Sequence, residues 1–126
     1  MDTVLATNGT IVRFAWAALA VAAGVGLWQV EGGGVAFATG LVAAVLPDVP
    51  LAFGAGRGLA RGQLHARAVP SYNAVHAPWG PLAVLAAAST FDSTLLLAVG
   101  LGWAAHIALD RSLGYGPRTP EGFQRG

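Results

Sequence analysis

Four apolar stretches divide the chain, and short polar breaks separate them. The first runs from Ile11 to Val30 and is interrupted only by Arg13 and Gln29. The second, Val35 to Phe53, holds one charged residue, Asp48. The third covers 72–88 and the fourth 94–110. A bilayer core about 30 Å thick needs about 20 apolar helical residues, with a range near 17–25. The first two stretches meet that length; the last two reach it by borrowing flanking residues. The breaks at Glu31-Gly32-Gly33-Gly34 and at Ser89 to Ser93 are tight, which makes antiparallel hairpins of the helices they join. The third break, Gly54 to Ser71, is longer and rich in glycine and arginine. The pattern predicts an all-α integral membrane bundle of about four transmembrane helices, forming one domain over residues 1–126.

Orientation follows from the arginines. Arg13 opens the first stretch, Arg57, Arg61 and Arg67 fill the long break, and Arg111, Arg118 and Arg125 follow the last stretch. With four spans these segments share one side of the membrane, and the other side carries only Glu31 and Asp92. The positive-inside rule then places both termini in the cytoplasm, for a multi-pass protein of the inner membrane. Residues Met1–Leu27 superficially resemble a secretory signal, yet the apolar core is long and no clean small-residue cleavage site follows, so an uncleaved helix is expected.

Composition agrees: charged residues are 10% of 126, where a soluble domain carries about 25%. All the basic residues are arginine and the net charge is only +1, so nothing supports a nucleic-acid partner. The expected partners are the lipid bilayer and another membrane protein or a second copy of this chain. Without cysteine, disulfides and thiolate chemistry are excluded. Small residues at helical spacing, such as Ala22-x-x-x-Gly26 and Gly40-x-x-x-Ala44, suit close helix packing in lipid. Trp28 and Tyr115 fall where headgroup-level aromatics are expected.

The polar residues inside the apolar stretches carry the candidate chemistry. Asp48 falls near the inner end of the second span, Tyr72, Asn73 and His76 at the start of the third, and His106 and Asp110 at the end of the fourth. Three helices therefore deliver polar groups to one depth, and the outer half has nothing comparable. His106 and Asp110 are i, i+4 and share a helix face, as Asn73 and His76 do at i, i+3. Pro47 and Pro50 flank Asp48, and Pro78 and Pro81 follow His76. Each proline removes an amide donor and breaks or bends a helix. Irregular backbone at membrane depth is tolerated where protein or trapped water surrounds it, which predicts a polar pocket.

Asp48, His76, His106 and Asp110 form a metal-ligand set whose imidazoles and carboxylates suit zinc, manganese or iron. An open position on such a metal would activate water, so a metal-dependent hydrolase is one reading. Asn73 and Tyr72 would then support a ligand or the attacking water, and Arg111 would hold an anionic group. The same polar groups can instead bond one another across helices and lock the packing of a scaffold or accessory subunit. A third reading is haem or another porphyrin held by His76 and His106. His65, in the arginine-rich loop, reads as a solvated or headgroup-facing residue.

Leu46-Pro47-Asp48, Tyr72-Asn73-x-x-His76 and His106-x-x-x-Asp110-Arg111-x-x-Gly114-Tyr115-Gly116 resemble the family catalogued as domain of unknown function 4260. The resemblance extends from Leu41 to Phe123 and includes Thr119-Pro120-x-Gly122-Phe123. It implies a small bacterial integral membrane protein and carries no activity with it. A weaker likeness links the Pro-Asp, His and His-x-x-x-Asp elements to inner-membrane proteins described as metal-dependent hydrolases, although the His-Ser element of that group is missing here.

Overall fold

The computed structural model describes the backbone of residues 2–125 and the surroundings of side chains of residues 9–125. Among these residues the chain is all-helical; the only β-type pairing is an isolated bridge between Arg118 and Gln124. Helix α1 spans Asp2–Gln29, α2 Gly33–Val45, α3 Val49–Gly54, α4 Val69–Val75, α5 Trp79–Phe91 and α6 Thr94–Leu113. The first helix thus begins well ahead of Ile11.

Prolines explain why four apolar stretches yield six helices. Pro47 sits in a 3-10 turn, Leu46–Asp48, between α2 and α3. The run from Gly33 to Gly54 still reads as one bent rod. The expected third span is divided more sharply. Helix α4 ends at Val75, because Pro78 has no amide to offer and disfavours helical backbone just before it. Residues His76 to Pro78 leave the helical path, and α5 restarts at Trp79. The carbonyls of Ala74 and Ala77 are taken up by the amides of Ala77 and Gly80 at 3.4 and 3.3 Å.

The turns have local causes. Gly32 and Gly33 both adopt positive φ, 112° and 62°, between α1 and α2, where a side chain would be strained. Asp92 takes a left-handed conformation after α5, and the Ser93 hydroxyl accepts from the Leu96 amide to cap α6.

Helix α6 is the common partner: α1, α2 and α5 all pack on it. It crosses α2 at close range, where a Cβ at Gly102 would run into the carbonyl of Gly40. Leu27, Ala36 and Ala98 form a small core near one end. Elsewhere large apolar side chains face outward, among them Phe14, Leu19, Val21, Val35, Val45 and Leu109. Two helical segments, Gly9–Gln29 and Gly33–Gly54, are long and apolar enough to cross a membrane, and only 6% and 28% of their most apolar windows are buried. The core helix of a water-soluble protein would be mostly buried. Such outward apolar surface suits a lipid surround.

Candidate metal centre

Asp48, His76, His106 and Asp110 meet at one point. Each offers one ligand atom, and the four atoms lie within 4.8 Å of one another. Local structure aims each of them. Asp48 projects from the 3-10 turn that Pro47 opens. His76 is the first residue past α4, released from the helix by the break that Pro78 imposes. His106 and Asp110 stand one turn apart on α6.

The distances are specific. His76 Nε2 lies 3.1 Å from His106 Nε2. His76 Nε2 is 3.5 Å from Asp48 Oδ1 and 3.4 Å from Asp110 Oδ2. His106 Nε2 is 3.4 Å from each of the same two oxygens. His76 is 4% exposed, while the Asp48 side chain is 46% exposed, so the cluster is closed on the histidine side and reached from the Asp48 side.

The tautomer of His76 can be read from its partner. Its Nδ1 lies 2.8 Å from the carbonyl of Tyr72, and a carbonyl only accepts, so Nδ1 carries the proton. In the neutral ring Nε2 is therefore a lone pair, and it faces two carboxylates. A hydrogen bond from the second ring nitrogen to a carbonyl is the usual support for a metal-ligating histidine. The Tyr72 ring also stacks on His76, with centroids 3.9 Å apart and planes 19° from parallel.

The remaining sequence candidates divide. Tyr72 belongs to the site through that stack. Arg111, the residue after Asp110 on α6, donates to the His76 carbonyl at 3.4 Å. Asn73 turns elsewhere: its amide oxygen accepts from the Arg118 amide at 2.7 Å, and its nitrogen donates to the Arg118 carbonyl at 3.0 Å. Its contacts hold the C-terminal segment. His65 caps a 3-10 turn, accepting from the Arg67 amide at 3.2 Å. The haem reading meets a geometric obstacle, since a macrocycle would have to pass between two nitrogens 3.1 Å apart.

Sequence reasoning overlooked Arg118 and Trp103. The Arg118 guanidinium lies over the Tyr72 ring, 4.9 Å from its centroid, and Trp103 donates to the Val75 carbonyl at 2.7 Å beside His76. In the sequence Arg118 serves only as a marker of sidedness, and nothing singles out Trp103 within the fourth apolar stretch.

The segments that carry this cluster fall inside a match to a known family, which extends over residues 9–126 and is described as Domain of unknown function (DUF4260). The chain belongs to that family. The matched region of this DUF4260 protein includes all four cluster residues and the segment that packs beside them. No curated protein and no solved structure matches the chain. Among the described residues the Asp48–His76–His106–Asp110 group could hold a metal ion, and that is as far as the family and the geometry together reach.

Proposed function

We propose that this DUF4260 protein is a four-span protein of the cytoplasmic membrane that binds a divalent metal, zinc above all, through Asp48, His76, His106 and Asp110. The observation that carries the proposal is the set of distances. Charge-assisted hydrogen bonds close to about 2.7–2.9 Å. The histidine–carboxylate separations here are 3.4 to 3.5 Å, too long for that role. Bonds of about 2.0–2.2 Å to a tetrahedral zinc place neighbouring ligands about 3.3–3.6 Å apart. Adjacent ligands on octahedral magnesium would be about 2.8–3.0 Å apart. Of the six separations, the four between histidine and carboxylate fit the tetrahedron, the 3.1 Å between the histidines is slightly short, and the edge between the two carboxylates, within 4.8 Å, is the wide one that a bound cation would draw in. The donor set fits as well. Two imidazole nitrogens and two carboxylates give a neutral site for a dication, and the inward Nε2 lone pair of His76 is already oriented.

Sidedness is supported by where the arginines go. Arg13 donates to the Ser112 carbonyl at 2.9 Å, joining α1 to the end of α6. Arg67 donates to the Phe53 carbonyl, and Arg118 to the Gly62 carbonyl. These pairs gather the arginine-bearing segments at the end where the cluster lies, which we assign to the cytoplasm.

A hydrolytic role is the second reading, and the exposure of Asp48 favours it. A bound dication would supply Lewis acidity and an activated water there. Asp48, the most exposed carboxylate, is the group positioned to yield its place to water or substrate. His76, His106 and Asp110 would remain as three protein ligands, the number common in catalytic zinc sites.

The test is metal content per chain, measured by mass spectrometry on tag-free protein purified in detergent and resupplied with zinc. Wild type is expected to hold about one equivalent, and His76→Ala and His106→Ala far less. A resupplied wild type with little metal, unchanged in both variants, would leave only a scaffold whose polar cluster locks the bundle.

A further inference from the structure

We infer that the C-terminal hairpin, residues 115–125, is a strut that fixes the imidazole plane of His76 through Arg118 and Tyr72 and so sets the metal affinity of the site; the inference rests on the metal reading above. The hairpin is a built element. The Thr119 amide donates to the Phe123 carbonyl at 2.8 Å, and the Arg125 amide to the Pro117 carbonyl at 3.2 Å. It is tied to the long loop as well. The Leu64 amide donates to the Gly122 carbonyl at 2.9 Å, and Gly122, at φ 101°, lets the Leu64 backbone approach where a Cβ would collide.

Three contacts run from this hairpin to α4. Asn73 clasps the backbone of Arg118 from both ends of its amide. The Arg118 side chain lies over the Tyr72 ring, in cation–π range. Gln124 donates to the Tyr72 hydroxyl at 3.4 Å. Tyr72 is 3% exposed and His76 4%, so neither ring has solvent to move into. The chain of contact therefore reads Arg118, Tyr72, His76, metal site. The backbone carbonyl of Tyr72 fixes which nitrogen of His76 is protonated, whereas the Tyr72 ring fixes the plane of the imidazole. Only the second of these depends on the Tyr72 side chain. Removing it leaves the tautomer in place and frees the ring to leave the tetrahedral direction. Arg118 and Tyr72 are thus positioning residues.

Cobalt(II) is the probe, because its visible absorption reports tetrahedral coordination directly. Full-length protein is titrated with cobalt as wild type, Tyr72→Phe, Tyr72→Leu and Arg118→Met, and the metal-free melting temperature of each is recorded. Tyr72→Phe keeps the ring and should bind as wild type does, with the same band. Tyr72→Leu and Arg118→Met should lose affinity by about 10–100-fold, the usual effect of removing a support for a ligand, and show an altered band. A hairpin that merely stabilises the fold would lower their melting temperatures while leaving band and affinity at wild-type values; that result overturns the inference. If Tyr72→Leu does not accumulate in folded form, Arg118→Met decides by the same criterion. A wild type that gives no tetrahedral band overturns the metal reading itself, and the strut with it.

Discussion

Asp48 and Asp110 look equivalent in the sequence, two aspartates near helix ends, but their surroundings differ. Asp48 is 46% exposed on a 3-10 turn, while Asp110 is 22% exposed on a rigid helix, one turn from His106. A ligand held on a preorganised element loses less entropy on binding metal. Asp110→Asn is therefore expected to weaken cobalt binding by about tenfold more than Asp48→Asn, within the span that supporting groups around metals command. Titrations of the two variants side by side check this; equal losses would contradict it. The sign of the pH effect follows from the ligand atoms. Protons compete with metal for the histidine Nε2 positions, so affinity should fall as the medium is acidified and recover on return. Affinity that stays flat on acidification would argue against histidine ligands. These residues were legible because ionisable groups are costly inside apolar stretches and so stand out. The partner of Asn73 was not legible. Its bonds reach Arg118, 45 positions away, and only the path of the loop and hairpin brings the two together.

At the scale of elements, glycine positions discriminate between packing and ornament. Gly102 on α6 faces the Gly40 carbonyl so closely that no Cβ fits, whereas Gly24 on α1 has open space around it. Gly102→Ala should destabilise the protein by about 1–3 kcal/mol, the usual cost of overpacking, because the obstructing atom is backbone and cannot turn aside. Gly24→Ala should be near neutral or slightly stabilising. Thermal unfolding in detergent, followed by circular dichroism, compares the two. A Gly102→Ala protein that melts with wild type would mean that α2 and α6 do not cross there. The small-residue spacing pointed to such a contact in advance through Gly40, but its partner could not be chosen between the two glycines on α6, Gly100 and Gly102. The proline breaks were legible too. What the apolar pattern concealed was the full interruption of the third stretch, because hydropathy continues through Ala74, Val75 and Ala77 while the backbone stops being helical.

For the whole molecule, the proposed topology has a direct consequence for reporter fusions. Fusions after Gly126 and within residues 57–67 should both report cytoplasm, and one within residues 32–34 should report the external side. An external reading at the C-terminus would remove the four-span arrangement, since it demands an odd number of crossings when the N-terminus stays inside. The all-helical architecture and its two longest apolar helices could be read from run lengths. The way the C-terminal hairpin, the long loop and α4 interlock could not, because those contacts are polar, long-range and made by segments without hydrophobic periodicity.

The central place of α6 bears on when the protein becomes itself during synthesis. Its neighbours α1, α2 and α5 all rest on it, and it brings two of the four candidate ligands. A ribosome making this chain releases α1, α2 and the residues bearing Asp48 and His76 first, with the helix they pack against still unmade. Until α6 is made, α1 and α2 touch little beyond the Trp28–Phe37 edge contact near their turn, and Asp48 and His76 alone offer half of the proposed ligand set. On the proposed reading, metal loading therefore follows translation of α6. A nascent chain stalled before Thr94 should take up no cobalt, however long it waits in the membrane.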